Sequence, residues 1–169
     1  YPPSALPCLT AWGCVIRGCD MSIGKICLPR KITVFHRLGE TNGVATYHKT
    51  VVYGVRFDER LAITQKNIGE KSIETFKAFI DMKNSKAEGE NGARKYISSE
   101  IFSSLSESER DEYWTVAEGD YIIPSVLSEE DLTTSVTLLK NKMRVFTVNS
   151  LLVQYDSRGI HHLEVSGRG

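Results

Sequence analysis

Residues 114–124 read W-T-V-A-E-G-D-Y-I-I-P. Trp114 and Val116 alternate with Thr115, which is the period of a half-buried strand. Tyr121, Ile122 and Ile123 form a second apolar run after Glu118-Gly119-Asp120. Gly119 supplies the backbone freedom that a reversal needs, and acidic residues commonly flank such turns. The stretch therefore predicts a strand, a tight turn and a returning strand. It decides the reading of the chain, because the segments before it look like strands that would pair with such a hairpin.

Upstream, residues 31–38 (K-I-T-V-F-H-R-L) predict a strand with Ile32, Val34 and His36 on one face and Thr33, Phe35 and Arg37 on the other. Asn42-Gly43 is the strongest local hairpin signal in the chain. Residues 45–57 predict the returning strand, with Gly54 marking a bulge or a bend. On that hairpin His36 and His48 become cross-strand neighbours. Residues 60–65 predict a shorter third strand, broken at 66–69. Residues 72–82 fit a strand better than a helix. Residues 83–94 are polar and glycine-rich and predict an exposed, mobile loop.

Downstream, Ser98 opens one helical turn. Ser106-Glu107-Ser108-Glu109 carries the capping and acidic residues of a helix start, running to residue 113. Residues 128–131 cap a clearer helix with Leu132, Val136 and Leu139 on one face, ending near Lys142. Residues 144–155 and 160–166 predict a closing hairpin, and residues 167–169 a frayed tail. About seven strands and two or three short helices make the chain mostly β, a small barrel or sandwich with long loops.

The totals set limits. A chain of 169 residues is one domain by length and can bury a sizeable core. Its 21 basic and 21 acidic residues leave a formal net charge of +0, which argues against coating nucleic acid through a uniform positive field. No apolar run approaches the ~20 residues of a membrane-spanning helix. Cys8, Cys14, Cys19 and Cys27 lack the C-x-x-C spacing of common zinc sites. They read as reduced, small apolar residues, with a disulfide or a metal site as alternatives. Residues 1–30 read as an extended arm, ordered by a neighbour, and residues 31–169 as a β-barrel-like domain. Met21 has the look of a natural start, with residues 1–20 as an extension before it.

No G-x-x-x-x-G-K-[ST], G-x-G-x-x-G, G-x-S-x-G or H-E-x-x-H occurs. On a regular strand His161 and His162 point to opposite faces and cannot share a metal. Glu118 and Asp120 read as solvated turn formers, with Asp120 accepting N–H bonds inside the turn. The acidic residues 107–112 read as a solvated helix face. Lys140, Lys142 and Arg144 suit a helix C-terminus. The expectation is therefore no catalytic residue, no cofactor and no metal site. Two other classes stand beside it. A metal-dependent hydrolase would use His36, His48 or the 161–162 pair. A nucleic-acid-binding barrel would use Tyr47, Lys49, Tyr53 and Arg56.

The order of the motifs carries a resemblance. They run I-T-V-F-H-R-L, T-V-V-Y-G-V-R-F, K-Y-I-S, W-T-V-A-E-G-D-Y-I-I and F-T-V-N-S-L-L-V-Q-Y-D-S-R-G-I-H-H-L-E-V-S-G. This resembles a family of small proteins encoded among the head–tail connector genes of tailed phages and prophages of Gram-positive bacteria. Residues 50–55, Gly119-Asp120 and residues 146–165 align with its T-V-[IV]-x-G-V strand, G-D turn and closing hairpin, and the whole covers roughly residues 31–167. Tyr155-Asp156 departs from the Asp-Asn usual there. The resemblance implies a virion structural protein of the neck, a head-closure (stopper) subunit, or else a tail terminator or minor capsid protein. It implies six- or twelve-fold rings of identical copies, portal or adaptor and tail proteins as partners, a passing contact with packaged DNA, no membrane, no catalysis, and assembly in the host cytoplasm.

Overall fold

A computed structural model describes residues 30–66, 69–128 and 135–169. The four cysteines, residues 1–29 of the expected arm and residues 129–134 of the expected helix lie outside these residues.

Strand β1 (Arg30–Thr41) turns at Asn42-Gly43 into β2 (Val44–Lys66). Both turn residues have positive φ, 52° and 77°, which matches the twist of the flanking strands. His36 lies opposite His48 in this ladder, as the hairpin implies. β2 is a single strand of 23 residues, so the short third strand expected at 60–65 is its continuation. It bends at Gly54, where the register with β1 shifts and φ is +71°. A Cβ there would meet the Asn84 carbonyl oxygen at 3.2 Å. Positive φ and close approach together select glycine.

β2 pairs with β3 (Gly69–Asp81), β3 with β9 (Gly159–Arg168), β9 with β8 (Phe146–Asp156), β8 with β7 (Tyr121–Ile123), and β7 with β1. The six ladders close on themselves. The protein is thus mostly β, with its strands wrapped around one core. Ile32, Val34, Val52, Val55, Ile80, Ile122, Leu163 and Val165 fill that core, each no more than 1% exposed. Phe57, Phe76 and Phe146 pack against one another, with centroids 5.2–5.7 Å apart and only Phe57 and Phe76 stacked face to face. Each such pair contributes about 0.5–1.5 kcal/mol beyond its burial.

Residues 83–94 are not a loop. They hold most of a hairpin of β4 (Lys86–Gly89) and β5 (Gly92–Tyr96) that docks on the edge of β2 at Val51, Val52 and Tyr53. Composition reads as loop here, yet burial of Ala87 and Arg94 anchors the hairpin. Helices α1 (Ser99–Ser104) and α2 (Glu107–Arg110) follow, α2 with a full Ser106–Glu109 capping box.

The 114–124 stretch folds differently from the expected hairpin. β6 (Tyr113–Trp114) runs parallel to β5, whereas β7 inserts between β1 and β8. The turn between them closes through Asp120 N–H to the Ala117 carbonyl, with Gly119 at φ 89°. Its outer bonds go to β8, since Gly119 donates to the Val148 carbonyl and Val148 to the Asp120 carbonyl, both at 2.8 Å. Alternation and turn chemistry are local, and they do not say which strand a segment will pair with. Trp114 and Ile122 still share the main core.

Helix α3 (Val136–Lys142), capped by Ser135, ends where expected. It covers the outer face of β1 and β7 by packing Val136 and Leu139 on Phe35, Ile123 and Leu127. β1 is consequently buried on both faces. The tail is not frayed either: Arg168 pairs with Thr75 and Thr147, and Gly169 donates to the Glu74 carbonyl.

Candidate functional site

His36, Thr50, Arg94 and Asp120, four of the polar side chains that the fold buries, lie where β1, β2, β5 and the 117–120 turn meet α1 and α2. Asp120 is 2% exposed, not the solvated turn former its position suggested, while Glu118 beside it is exposed. The Asp120 carboxylate accepts three hydrogen bonds. His36 Nδ1 lies 2.8 Å from Oδ2, the Ala117 N–H donates to Oδ2 at 2.7 Å, and the Arg37 N–H donates to Oδ1 at 3.1 Å. Its expected bond within the turn is present. The bonds to β1 come only from tertiary structure.

Phe102 is the one buried side chain of α1, and it is fully buried. Its ring lies 5.2 Å from the His36 ring and 5.0 Å from the His48 ring, with the Arg110 guanidinium 5.7 Å away. The two histidines are neighbours, but each is bonded elsewhere. His48 Nε2 donates to the Tyr113 carbonyl at 3.1 Å. Burial first, and then the Arg94 cation, pull the His48 imidazole down to about 4. Among the described residues no three His, Cys, Asp or Glu side chains converge as a metal site.

Arg94 forms the second half of the cluster. It is 8% exposed and donates to the carbonyls of Lys49 and Asp111 and to Thr50 Oγ1. Its guanidinium lies against Gly89, where any Cβ would collide with it. Burying a cation in this way is tolerable because Nε and Nη1 have acceptors and the Asp111 carboxylate lies 3.6 Å from Nη2. A cleft of about 240 Å³ lies beside it, lined by Tyr47, His48, Lys49, Arg94, Arg110 and Asp111. Glu90 and Glu107 also line it, so its three cations are matched by three carboxylates.

The other candidate residues do not form one site. Tyr47 packs on Phe35 and Tyr121, and Lys49 sits over Phe35. Tyr53 lies under Lys31, and Arg56 is paired with Asp58. Lys140 covers Tyr121, and Arg144 reaches Glu59 and Glu74. The acidic residues of α2 are exposed, as expected for a helix face. Sequence reading missed Arg94 and Phe102. An arginine after Gly92-Ala93 in a polar stretch carries no local sign of burial.

Chemically, an Asp–His pair is the orienting half of a nucleophile-activating triad. Here the histidine is 8% exposed with an aromatic edge against its ring. The cluster ties these segments together through the hydrogen bonds of Asp120, His48 and Arg94 and through the Phe102 ring.

The low pKa of His48 has a consequence for stability. The unfolded imidazole takes up a proton near 6.5, whereas the folded one resists until about 4. Stability is complete above pH 6.5 and falls as pH drops from there toward 4. With His48 only half-buried and partly screened by solvent, the expected loss from this group is roughly 1–2 kcal/mol. Urea midpoints at pH 7, 5.5 and 4 for the wild type and His48→Gln measure it. The variant's pH slope should be flatter in that window, and an unchanged slope would exclude His48 as its source.

The fold and the cluster define a small, mostly β domain with closed ladders, locked by a buried His–Asp pair and a buried arginine. The chain belongs to DUF6751, a family of unknown function, whose model matches residues 28–168. No curated protein and no solved structure matches it. None of the described helices is long and apolar enough to cross a membrane.

Proposed function

We propose that the chain is a non-catalytic structural subunit of a tailed-phage neck, a head-closure protein that assembles with copies of itself in a ring between portal or adaptor and tail. The observation that carries this is the β2–β3 ribbon. Residues 60–66 of β2 pair only with β3, and residues 69–73 of β3 pair only with β2. The ribbon therefore runs roughly 20 Å past the closed ladders, at ~3.3 Å per residue. Leu61 is 61% exposed and Ile73 39% exposed on it, at successive cross-strand positions that face opposite sides. A two-stranded ribbon alone is marginal in water, and its open edges recruit other strands. A neighbouring subunit supplies both the missing strand partner and the apolar cover.

The order of sequence motifs supports the same reading, and the balanced charge suits a subunit that packs against its own copies. The deciding experiment is the mass of the purified chain in solution with negative-stain imaging, alone and mixed with portal and tail proteins. Closed rings of six or twelve copies are expected. A double variant, Leu61→Lys with Ile73→Lys, should keep its circular dichroism spectrum and lose the rings. A chain that stays monomeric with every virion partner would overturn the proposal.

A further inference from the structure

His161 and His162 are consecutive in β9, so a regular strand would separate them. The ladder is irregular at this point. His162 lies opposite Gln154 and Ile160 opposite Tyr155, which leaves His161 as an extra residue with no partner in β8. Such a bulge re-aims a side chain. As a result the two rings meet, against the sequence expectation, with centroids 5.0 Å apart and the two Nδ1 atoms 2.7 Å apart.

The hydrogen-bond pattern sets the tautomers. Glu164 Oε1 lies 3.3 Å from His162 Nε2 and takes that N–H. The His162 Nδ1 is then left with a lone pair, to which His161 Nδ1 donates. Moving the His161 proton from Nδ1 to Nε2 leaves a free lone pair on each Nδ1, 2.7 Å apart, with no net proton released. A carboxylate on the far nitrogen is the usual support for a metal-ligating imidazole. Glu164 is itself held by Lys77, 2.8 Å away.

We infer that His161 and His162 form a bidentate chelate for a divalent transition ion of the Cu²⁺ or Ni²⁺ type, with water completing its coordination. The separation favours that class. Two bonds of about 2.0 Å at a right angle place their nitrogens about 2.8 Å apart, whereas a tetrahedral ion needs about 3.3 Å. Copper heads the affinity order for nitrogen ligands. An open cleft of about 510 Å³ beside His161 leaves room for the waters. The nearby carboxylates are engaged: Asp81 accepts from the Lys83 N–H and the Asn84 amide, and Asp156 from the Arg158 N–H. The inference stands independently of the neck reading.

The test is titration of the tag-free full chain with CuCl₂, followed by electron paramagnetic resonance, alongside His161→Asn and His162→Gln. Both positions are at the surface or close to it, and a melting curve checks that each variant is folded. One equivalent with hyperfine structure from two imidazole nitrogens is expected. Each variant should weaken that site at least about tenfold, because a single imidazole loses the chelate advantage. The same result should hold in a background with Cys8, Cys14, Cys19 and Cys27 replaced by serine. Copper binding that neither histidine variant changes, or no binding at tens of micromolar, would overturn the inference.

Discussion

Asp120→Ala is expected to cost about 3–5 kcal/mol, a large share of a small domain's total stability. The change removes the only carboxylate that His36 Nδ1, the Arg37 N–H and the Ala117 N–H are bonded to. All three donors lie at or near a site that is 2% exposed, so water does not readily replace the lost acceptor. The effect should also spread. Asp120 and its turn bond to β8 through Val148 on one side and to β1 through the carboxylate on the other, so one substitution loosens the contact that places β7 between them. Chemical denaturation of Asp120→Ala measures this, with Glu118→Ala as the exposed neighbour that should stay within about 0.5 kcal/mol of wild type. A loss at Asp120 no greater than at Glu118 would refute the structural role assigned to the cluster.

Gly167→Ala is expected to cost about 3 kcal/mol or more, although the residue lies near the end of β9. The requirement here is space. A Cβ at Gly167 would be driven into the Thr147 carbonyl oxygen, and it would lie 2.7 Å from the Phe76 ring. The first obstacle is backbone, which no rotamer change can move aside. Gly167 pairs with Phe76 of β3 and Val148 of β8, so relief must part β9 from one of them. Gly39→Ala is the control. Nothing lies within 4 Å of its Cβ and its φ is not positive, so thermal melting should show almost no change there. Equal melting temperatures for both variants would show that β9 does not close the ladder as described.

Both effects arise at positions that sequence patterns describe poorly. Alternation in residues 31–38 and 72–82, the Asn42-Gly43 turn, the bend at Gly54 and the end of the last helix all come through in the chain as read, because each depends on neighbours a few residues away. The β4–β5 hairpin did not, since its residues look polar and are held by two buried side chains on the edge of β2. The same holds for the partners of β6 and β7. Their strand character was legible, and their pairing to β5, β1 and β8 was not. The candidate site divides in the same way. His36 opposite His48 follows from one hairpin, but the Asp120 carboxylate, Phe102 and Arg94 reach that pair from segments dozens of residues away.

The amino-acid sequence by itself determined which segments are extended, where the tight turns fall, and that the domain is mostly β, because backbone propensity and side-chain alternation act over a few residues. Only the tertiary structure decided that the ladders close, that Asp120 and Arg94 are buried, and that a bulge turns two adjacent histidines toward each other. Those outcomes depend on which distant groups satisfy one another's hydrogen bonds, and no local pattern carries that information.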